Sequence, residues 1–161
     1  MINYQSTITE ITPNIKSRIV IKKILSVLFV ALALACNSDD FNNKNPYIPS
    51  YAFSTQIDMT LPAFSQLQFP SNAVYYNDGN TGVRGVIIFN TGSGYNAFDA
   101  ACPNQELGSC STMTIDGIMA HCNCDDADYS LFTGQTDAPG HEYPMKPYRI
   151  TQNGSVLTVY N

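Results

Sequence analysis

Basic residues are scarce in this chain of 161 residues, which has eight Lys and Arg against 13 Asp and Glu. Four of the bases lie between positions 16 and 23, so the chain from residue 36 onward has four bases, twelve acids and a net charge of −8. An acidic chain with no basic stripe argues against nucleic acid as a partner. It also argues against electrostatic docking onto anionic lipid. Aromatic residues are plentiful (ten Tyr and eight Phe), which is not the composition of a disordered protein.

A long hydrophobic run is also missing. The stretch 24–35 has twelve residues, apolar except for Ser26, and as a helix it would rise about 18 Å across a bilayer core of about 30 Å. Four basic residues precede it, and small residues stand before Cys36. This arrangement predicts a secretory signal over residues 1–35 and argues against a lasting transmembrane anchor.

The run Ala33-Leu34-Ala35-Cys36 resembles the lipobox of bacterial lipoproteins, although alanine stands at position 33 where leucine is usual. The resemblance implies that the signal is cut before Cys36 and that the thiol is acylated, which would make membrane anchoring effectively permanent. The acids just after Cys36 resemble the surface-export signal of some Gram-negative lipoproteins. We therefore expect an exported protein on the outer membrane or cell surface of a Gram-negative bacterium. The alternative is ordinary signal cleavage beside a chance cysteine.

The mature chain lacks helical periodicity and internal repeats. Residues 36–52, with prolines among asparagines, predict a lipid-anchored flexible tether, and residues 53–161 fit one domain. Short strand-like runs alternate with glycine and asparagine turns, and Asp116-Gly117 and Asn153-Gly154 are hairpin signals. This pattern predicts an all-β sandwich or barrel. The runs are 56–61, 73–76, 85–89, 95–98, 113–115, 118–120, 148–150 and 156–160.

Four more cysteines lie after Cys36, all within one stretch of twenty-three residues: Cys102, Cys110, Cys122 and Cys124. Clustered thiols indicate either disulfides or a metal site. Export into an oxidising compartment favours disulfides. Structural zinc sites prefer paired Cys-x-x-Cys spacings, which the gaps of seven and one residues fit poorly.

The order of features from residue 97 to 159 resembles a Rieske domain, a family whose two loops read Cys-x-His and Cys-x-x-His. Cys102-Pro103-Asn104 and Cys122-Asn123-Cys124-Asp125 stand in those places, with seventeen residues between Asn104 and Cys122. The flanking segments 95–99, 129–134 and 143–150 also match the family's strands. The resemblance implies a Rieske-like antiparallel β domain with two cysteine-bearing loops.

Rieske proteins of respiratory complexes carry one extra cysteine in each loop, and the two form a disulfide. Cys110 and Cys124 stand in those places, so the resemblance implies a Cys110–Cys124 bond, which would stabilise the fold by about 3 kcal/mol. Both histidine ligands are replaced, by Asn104 and Asp125. A neutral amide is a poor ligand for cluster iron, and a carboxylate is a hard anionic one.

With both histidines gone we expect an empty cluster site and a second disulfide between Cys102 and Cys122. The pairing of Cys102 with Cys124 and Cys110 with Cys122 stays open, whereas Cys122–Cys124 is disfavoured by geometry. His141 lies in the segment that corresponds to the loop covering the cluster and is the candidate substitute ligand. The alternative metal site is therefore Cys102, Cys122, Asp125 and His141, and His121 should point away from the thiol of Cys122.

The sequence contains no Ser/His/Asp or Cys/His constellation and no phosphate loop, so we do not expect an enzyme. We expect a membrane-anchored binding or structural module without a cofactor, whose partner is an unidentified envelope protein or ligand. The alternative is an electron-transfer protein that holds a 2Fe–2S cluster with unusual ligands. A thiol–disulfide redox role is a third possibility, although the Cys-x-x-Cys arrangement that tunes such chemistry is absent.

Overall fold

The computed structural model describes residues 45–161, and the predicted signal, Cys36 and the first part of the predicted tether lie outside this span. Nine β-strands and one 3-10 helix (Ser65–Gln68) make up the regular structure of the described span, which has no α-helix and no helix able to cross a membrane. The strands are β1 Ser54–Asp58, β2 Ala73–Tyr76, β3 Val86–Asn90, β4 Tyr95–Asp99, β5 Thr114–Asp116, β6 Met119–Cys122, β7 Ala127–Ser130, β8 Pro147–Asn153 and β9 Val156–Tyr160.

All strand pairs of the described residues are antiparallel and form two sheets. The larger sheet has the order β1-β9-β8-β4-β3-β2, and the smaller one has the order β5-β6-β7. Strands β4 and β8 join through only two residue pairs, Ala97 with Tyr148 and Phe98 with Pro147. The prediction of an all-β antiparallel domain with two cysteine-bearing loops is confirmed.

Strand β3 lies between two hydrophobic clusters. Its five residues are all buried, and because successive side chains point to opposite faces, Ile87 and Phe89 pack in one cluster while Val86 and Ile88 pack in the other. The first cluster also contains Cys102 and Cys122. Burial on both faces explains why the sequence of β3 is an unbroken apolar run with no polar alternation.

Both predicted hairpins form, but each turn lies one residue later than expected. Asp116 pairs with Met119, and Asn153 pairs with Val156. The two-residue loops therefore begin at Gly117 and Gly154, whose φ angles are 58° and 59°. In each loop the second residue is not among the described residues with positive φ. This is the pattern of a type II′ turn, which places glycine first.

The final residues of the expected tether pack against the domain. Ile48 is only 2% exposed, and the buried side chain of Asn45 donates through Nδ2 to the carbonyl oxygen of Pro103 at 2.7 Å. The tether was expected to run from 36 to 52; within this range Asn45 contacts the first cysteine loop, and Pro49 and Ser50 accept hydrogen bonds from Lys146. The sequence did not reveal this packing, because a single isoleucine among prolines and polar residues is too weak a pattern to detect.

Candidate functional site

A buried carboxylate fixes the start of the first cysteine loop. Asp99, the last residue of β4, is fully buried. Its oxygens accept hydrogen bonds from the backbone N–H of Val83 (2.6 Å), the backbone N–H of Ala101 (2.7 Å) and the hydroxyl of Tyr148 (2.6 Å). A buried charge needs this number of donors. Because Ala101 precedes Cys102, the network determines where the loop leaves the sheet.

Burial shifts the pKa of two side chains beside Asp99, Tyr148 and Lys146. Burial, and then the charge of Asp99, raises the pKa of the Tyr148 hydroxyl far above its usual value, so this hydroxyl remains a donor. Burial lowers the pKa of Lys146, and the charge of Asp99 opposes that shift. Lys146 donates to the carbonyl oxygen of Pro49 at 2.8 Å and so holds the N-terminal segment in place. Sequence reasoning missed this network, and the available signal was an acid at the end of an apolar strand just before a cysteine loop.

Backbone hydrogen bonds shape both cysteine loops. In the first loop, the N–H of Cys102 donates to the carbonyl of Ser111 at 2.9 Å and closes the loop at its base. In the second loop, Cys122 ends β6 and the N–H of Asp126 donates to its carbonyl at 3.0 Å. Asp126 has a φ of 59°, a left-handed conformation that aspartate tolerates better than most residues. The resulting tight turn carries Cys124.

The structure joins the loops by two disulfides, Cys102–Cys122 and Cys110–Cys124, with Cα atoms 5.6 Å and 5.2 Å apart. This is the connectivity expected from the resemblance and from the loss of the histidines, and the alternative pairing is not formed. Cys102 and Cys122 are completely buried, Cys124 is partly buried and Cys110 is exposed. We call Cys102–Cys122 the inner disulfide and Cys110–Cys124 the outer disulfide.

Asn104, at the first replaced histidine position, is fully engaged in hydrogen bonds. Its Nδ2 donates to the hydroxyl of Tyr129 at 2.9 Å and to the carbonyl of Tyr143 at 2.7 Å. Its Oδ1 accepts from the backbone N–H of Tyr143 at 2.8 Å. The amide therefore fastens the segment around Tyr143 over the first loop. Burial raises the pKa of Tyr129, and the hydrogen bond from Asn104 opposes that shift.

Asp125, at the second replaced position, faces His141. The carboxylate Oδ2 and the imidazole Nε2 are 3.0 Å apart, and both side chains are largely buried. His121 instead pairs through Nδ1 with Asp128 at 2.9 Å on the outer side of the small sheet. Both replaced ligand positions thus hold the same short segment, residues 141–143, which we call the covering segment: Asn104 binds it at Tyr143 and Asp125 binds it at His141.

These contacts do not fit a 2Fe–2S cluster. The sulfurs of Cys102 and Cys122, the two remaining ligand cysteines, are bonded to each other. The Asn104 amide is hydrogen-bonded to Tyr143, and the Asp125 carboxylate is hydrogen-bonded to His141. Within residues 45–161, the one grouping of possible metal ligands consists of the sulfurs of Cys102, Cys122 and Cys124, which lie within 4.8 Å of one another. Asp125 and His141 are not part of it, and all three sulfurs are in disulfides.

Comparisons with known proteins return similar solved structures, while no protein-family model and no curated protein matches the chain. The ferredoxin of carbazole 1,9a-dioxygenase from Nocardioides aromaticivorans IC177 is 17% identical over 56% of this chain and 86% of its own, with a TM-score of 0.40. A ferredoxin of Sphingomonas yanoikuyae B1 is 16% identical over 58% of this chain and 88% of its own, at 0.41. A Mycobacterium tuberculosis protein described as an NADH-dependent nitrite reductase small subunit is 15% identical over 70% of this chain and 97% of its own, with a TM-score of 0.42.

The fold resembles the Rieske-like arrangement predicted from the sequence: the strands form two antiparallel sheets, and two disulfides join the cysteine loop that follows β4 to the one that follows β6. These proteins share less than 20% of their residues with this chain, and their TM-scores are near 0.4. The likeness therefore assigns no function to this chain.

We predict that Asn104→Ala lowers the free energy of unfolding by about 1–3 kcal/mol, because it leaves the backbone groups of Tyr143 without their partners. Urea unfolding measures the loss, and hydrogen exchange should become faster at the Tyr143 amide. Asn123→Ala is the control, since Asn123 is exposed and makes a single 3.3 Å hydrogen bond to Thr112; it should change stability by about 0.5 kcal/mol or less. Equal losses in the two variants would contradict a special role for Asn104.

Proposed function

We propose that this protein is a lipid-anchored, non-catalytic, Rieske-like domain of the cell envelope, a binding or structural module in which disulfides take the place of the cluster. The observation that carries the proposal is the inner disulfide, which consumes both remaining ligand sulfurs, Cys102 and Cys122. The engagement of Asn104 and Asp125 with the covering segment supports it, because neither side chain is left free for iron.

The two disulfides supply what a bound cluster would supply mechanically, a cross-link between the loops. They span sequence separations of 20 and 14 residues, and in the chain-entropy model each stabilises the fold by about 3 kcal/mol. Asn104 and Asp125 then hold the covering segment by hydrogen bonds. A rigid, closed loop surface suits recognition, since a preformed surface loses little conformational entropy on binding.

The signal, the lipobox resemblance and the acidic charge support the proposed location and partners. An exported lipoprotein on the outer membrane or cell surface of a Gram-negative bacterium would keep its cysteines oxidised. The membrane contact runs through acyl chains on Cys36, and the partner of the domain is an envelope protein or ligand. Nucleic acid is not a partner in this proposal, because the chain beyond residue 36 has a net charge of −8.

The cofactor content tests this function directly. The protein, expressed from its full reading frame and purified without oxygen, should be colourless, contain no stoichiometric iron or sulfide, and yield no alkylated thiol at any of the four loop cysteines. Peptide mass spectrometry scores each cysteine separately, so that the state of Cys36 does not confuse the count. A brown protein with about two iron atoms and two sulfides per chain would instead establish the electron-transfer alternative.

Anchoring is tested by Cys36→Ser. This variant should not be labelled by a fatty-acid analogue and should keep its signal peptide, because acylation and the cleavage that depends on it both need the cysteine thiol. Cys110→Ser is the matched control and should be labelled and processed like the unchanged protein. Fatty-acid labelling that persists in Cys36→Ser would contradict lipidation at this residue.

A further inference from the structure

The two disulfides lie in layers, with the outer one between solvent and the inner one. Cys110 is exposed and Cys124 is half-buried, whereas Cys102 and Cys122 are both 0% exposed. An external thiol can therefore reach the outer disulfide but not the inner one. The sulfur of Cys124 belongs to the outer pair, yet it lies within 4.8 Å of both inner sulfurs.

We propose that Cys124 is a relay thiol, through which an external dithiol opens the buried inner disulfide by way of the outer one. The inference rests on the disulfide-braced domain proposed above and adds a redox response to it. It depends on the position of Cys124 between the two pairs and makes no use of a Cys-x-x-Cys motif.

The relay consists of two exchange steps. First, an exported dithiol protein or small dithiol gives up two electrons, becomes a disulfide, and converts Cys110 and Cys124 to thiols. Second, the Cys124 thiolate attacks the sulfur of Cys102. The Cys102–Cys124 bond forms as the Cys102–Cys122 bond breaks, and the electron pair leaves on Cys122, which takes up the proton lost by Cys124. The second step involves no net oxidation or reduction.

Hydrogen bonds around the sulfurs favour this direction of attack. Gln105 donates through Nε2 to the sulfur of Cys122 at 2.9 Å, and a donor at the departing sulfur stabilises the thiolate that leaves. Attack on Cys122 by Cys124 would instead join cysteines two positions apart, a geometry that disulfides rarely meet. Ser111 lies 3.8 Å from the sulfur of Cys124 and is placed to hydrogen-bond the attacking group.

The product differs from the starting protein in what it offers to solvent. Cys110, in the exposed stretch of the first loop, becomes a free thiol, and the new Cys102–Cys124 bond has a half-buried sulfur that a second dithiol can reach. Complete reduction of the buried pair then follows from the surface inward. The partner that this arrangement fits is a dithiol–disulfide exchange protein of the envelope.

A matched pair of variants tests the relay. Cys110→Ser and Cys124→Ser both remove the outer disulfide, but only Cys110→Ser keeps the Cys124 thiol. With dithiothreitol as the probe, the inner disulfide of Cys110→Ser should be lost at least roughly tenfold faster than that of Cys124→Ser, because an attacking group held in place has a large proximity advantage. Timed alkylation and peptide mass spectrometry follow Cys102 and Cys122 individually.

Gln105→Ala provides a second readout that a merely structural role would not give. Combined with Cys110→Ser it should slow the loss of the inner disulfide severalfold. Combined with Cys124→Ser it should have a smaller effect, because dithiothreitol then reaches the buried disulfide only after the loops open and the contact of Gln105 with Cys122 is lost. Trapping Cys110→Ser early with iodoacetamide should show alkylated Cys122 together with a Cys102–Cys124 linkage.

Equal rates of inner-disulfide loss in Cys110→Ser and Cys124→Ser would overturn the relay. This failure is distinct from failure of the proposed function, because stoichiometric iron and sulfide in the unchanged protein would remove the disulfides themselves. Two intact disulfides without rate coupling would contradict the relay alone.

Discussion

The inner disulfide is the bond on which the rest of the site depends. It lies in the hydrophobic cluster between β3 and the small sheet, where Cys102 and Cys122 are packed with residues such as Phe89 and Tyr129. Two loops meet there, one that runs from β4 of the large sheet to β5 of the small sheet and one that joins β6 to β7. A covalent link removes much of the conformational freedom that the loops would otherwise have in the unfolded chain. The outer disulfide and the covering segment lie against loops that the inner disulfide already joins.

Two polar side chains beside the inner disulfide have hydrogen-bond partners in the segment that contains His141 and Tyr143. Asn104 serves the backbone of Tyr143, and Asp125 serves His141. A buried amide or carboxylate without partners would destabilise the fold by several kcal/mol. Histidine at these places can serve a metal and leave the covering segment free, whereas asparagine and aspartate here hold the segment directly. The two replacements and the two disulfides are therefore consistent with each other: S–S bonds join the two loops, and hydrogen bonds from Asn104 and Asp125 hold the covering segment against them.

Much of the fold could be predicted from the sequence, because strand periodicity and turn residues act locally. The runs at β2 and β3 and both hairpins were found, although the turns at Gly117 and Gly154 lie one residue later, since glycine takes the first loop position. The two cysteine loops were located by their spacing and not by any local propensity. The network of Asp99 and the clamp of Asn104 could not be predicted, because their partners lie as far as 49 residues away in sequence. The burial of Ile48 could not be predicted either, because a single isoleucine among prolines and polar residues makes no detectable pattern.

X-ray diffraction from crystals of the protein purified and crystallised without oxygen, with anomalous data collected at the iron edge and at a long wavelength for sulfur, tests the disulfide-for-cluster arrangement most directly. We expect two pairs of sulfur peaks, at Cys102 with Cys122 and at Cys110 with Cys124, and no iron peak between the loops. Two iron peaks bound by Cys102 and Cys122, with Asp125 or His141 turned toward them, would contradict it.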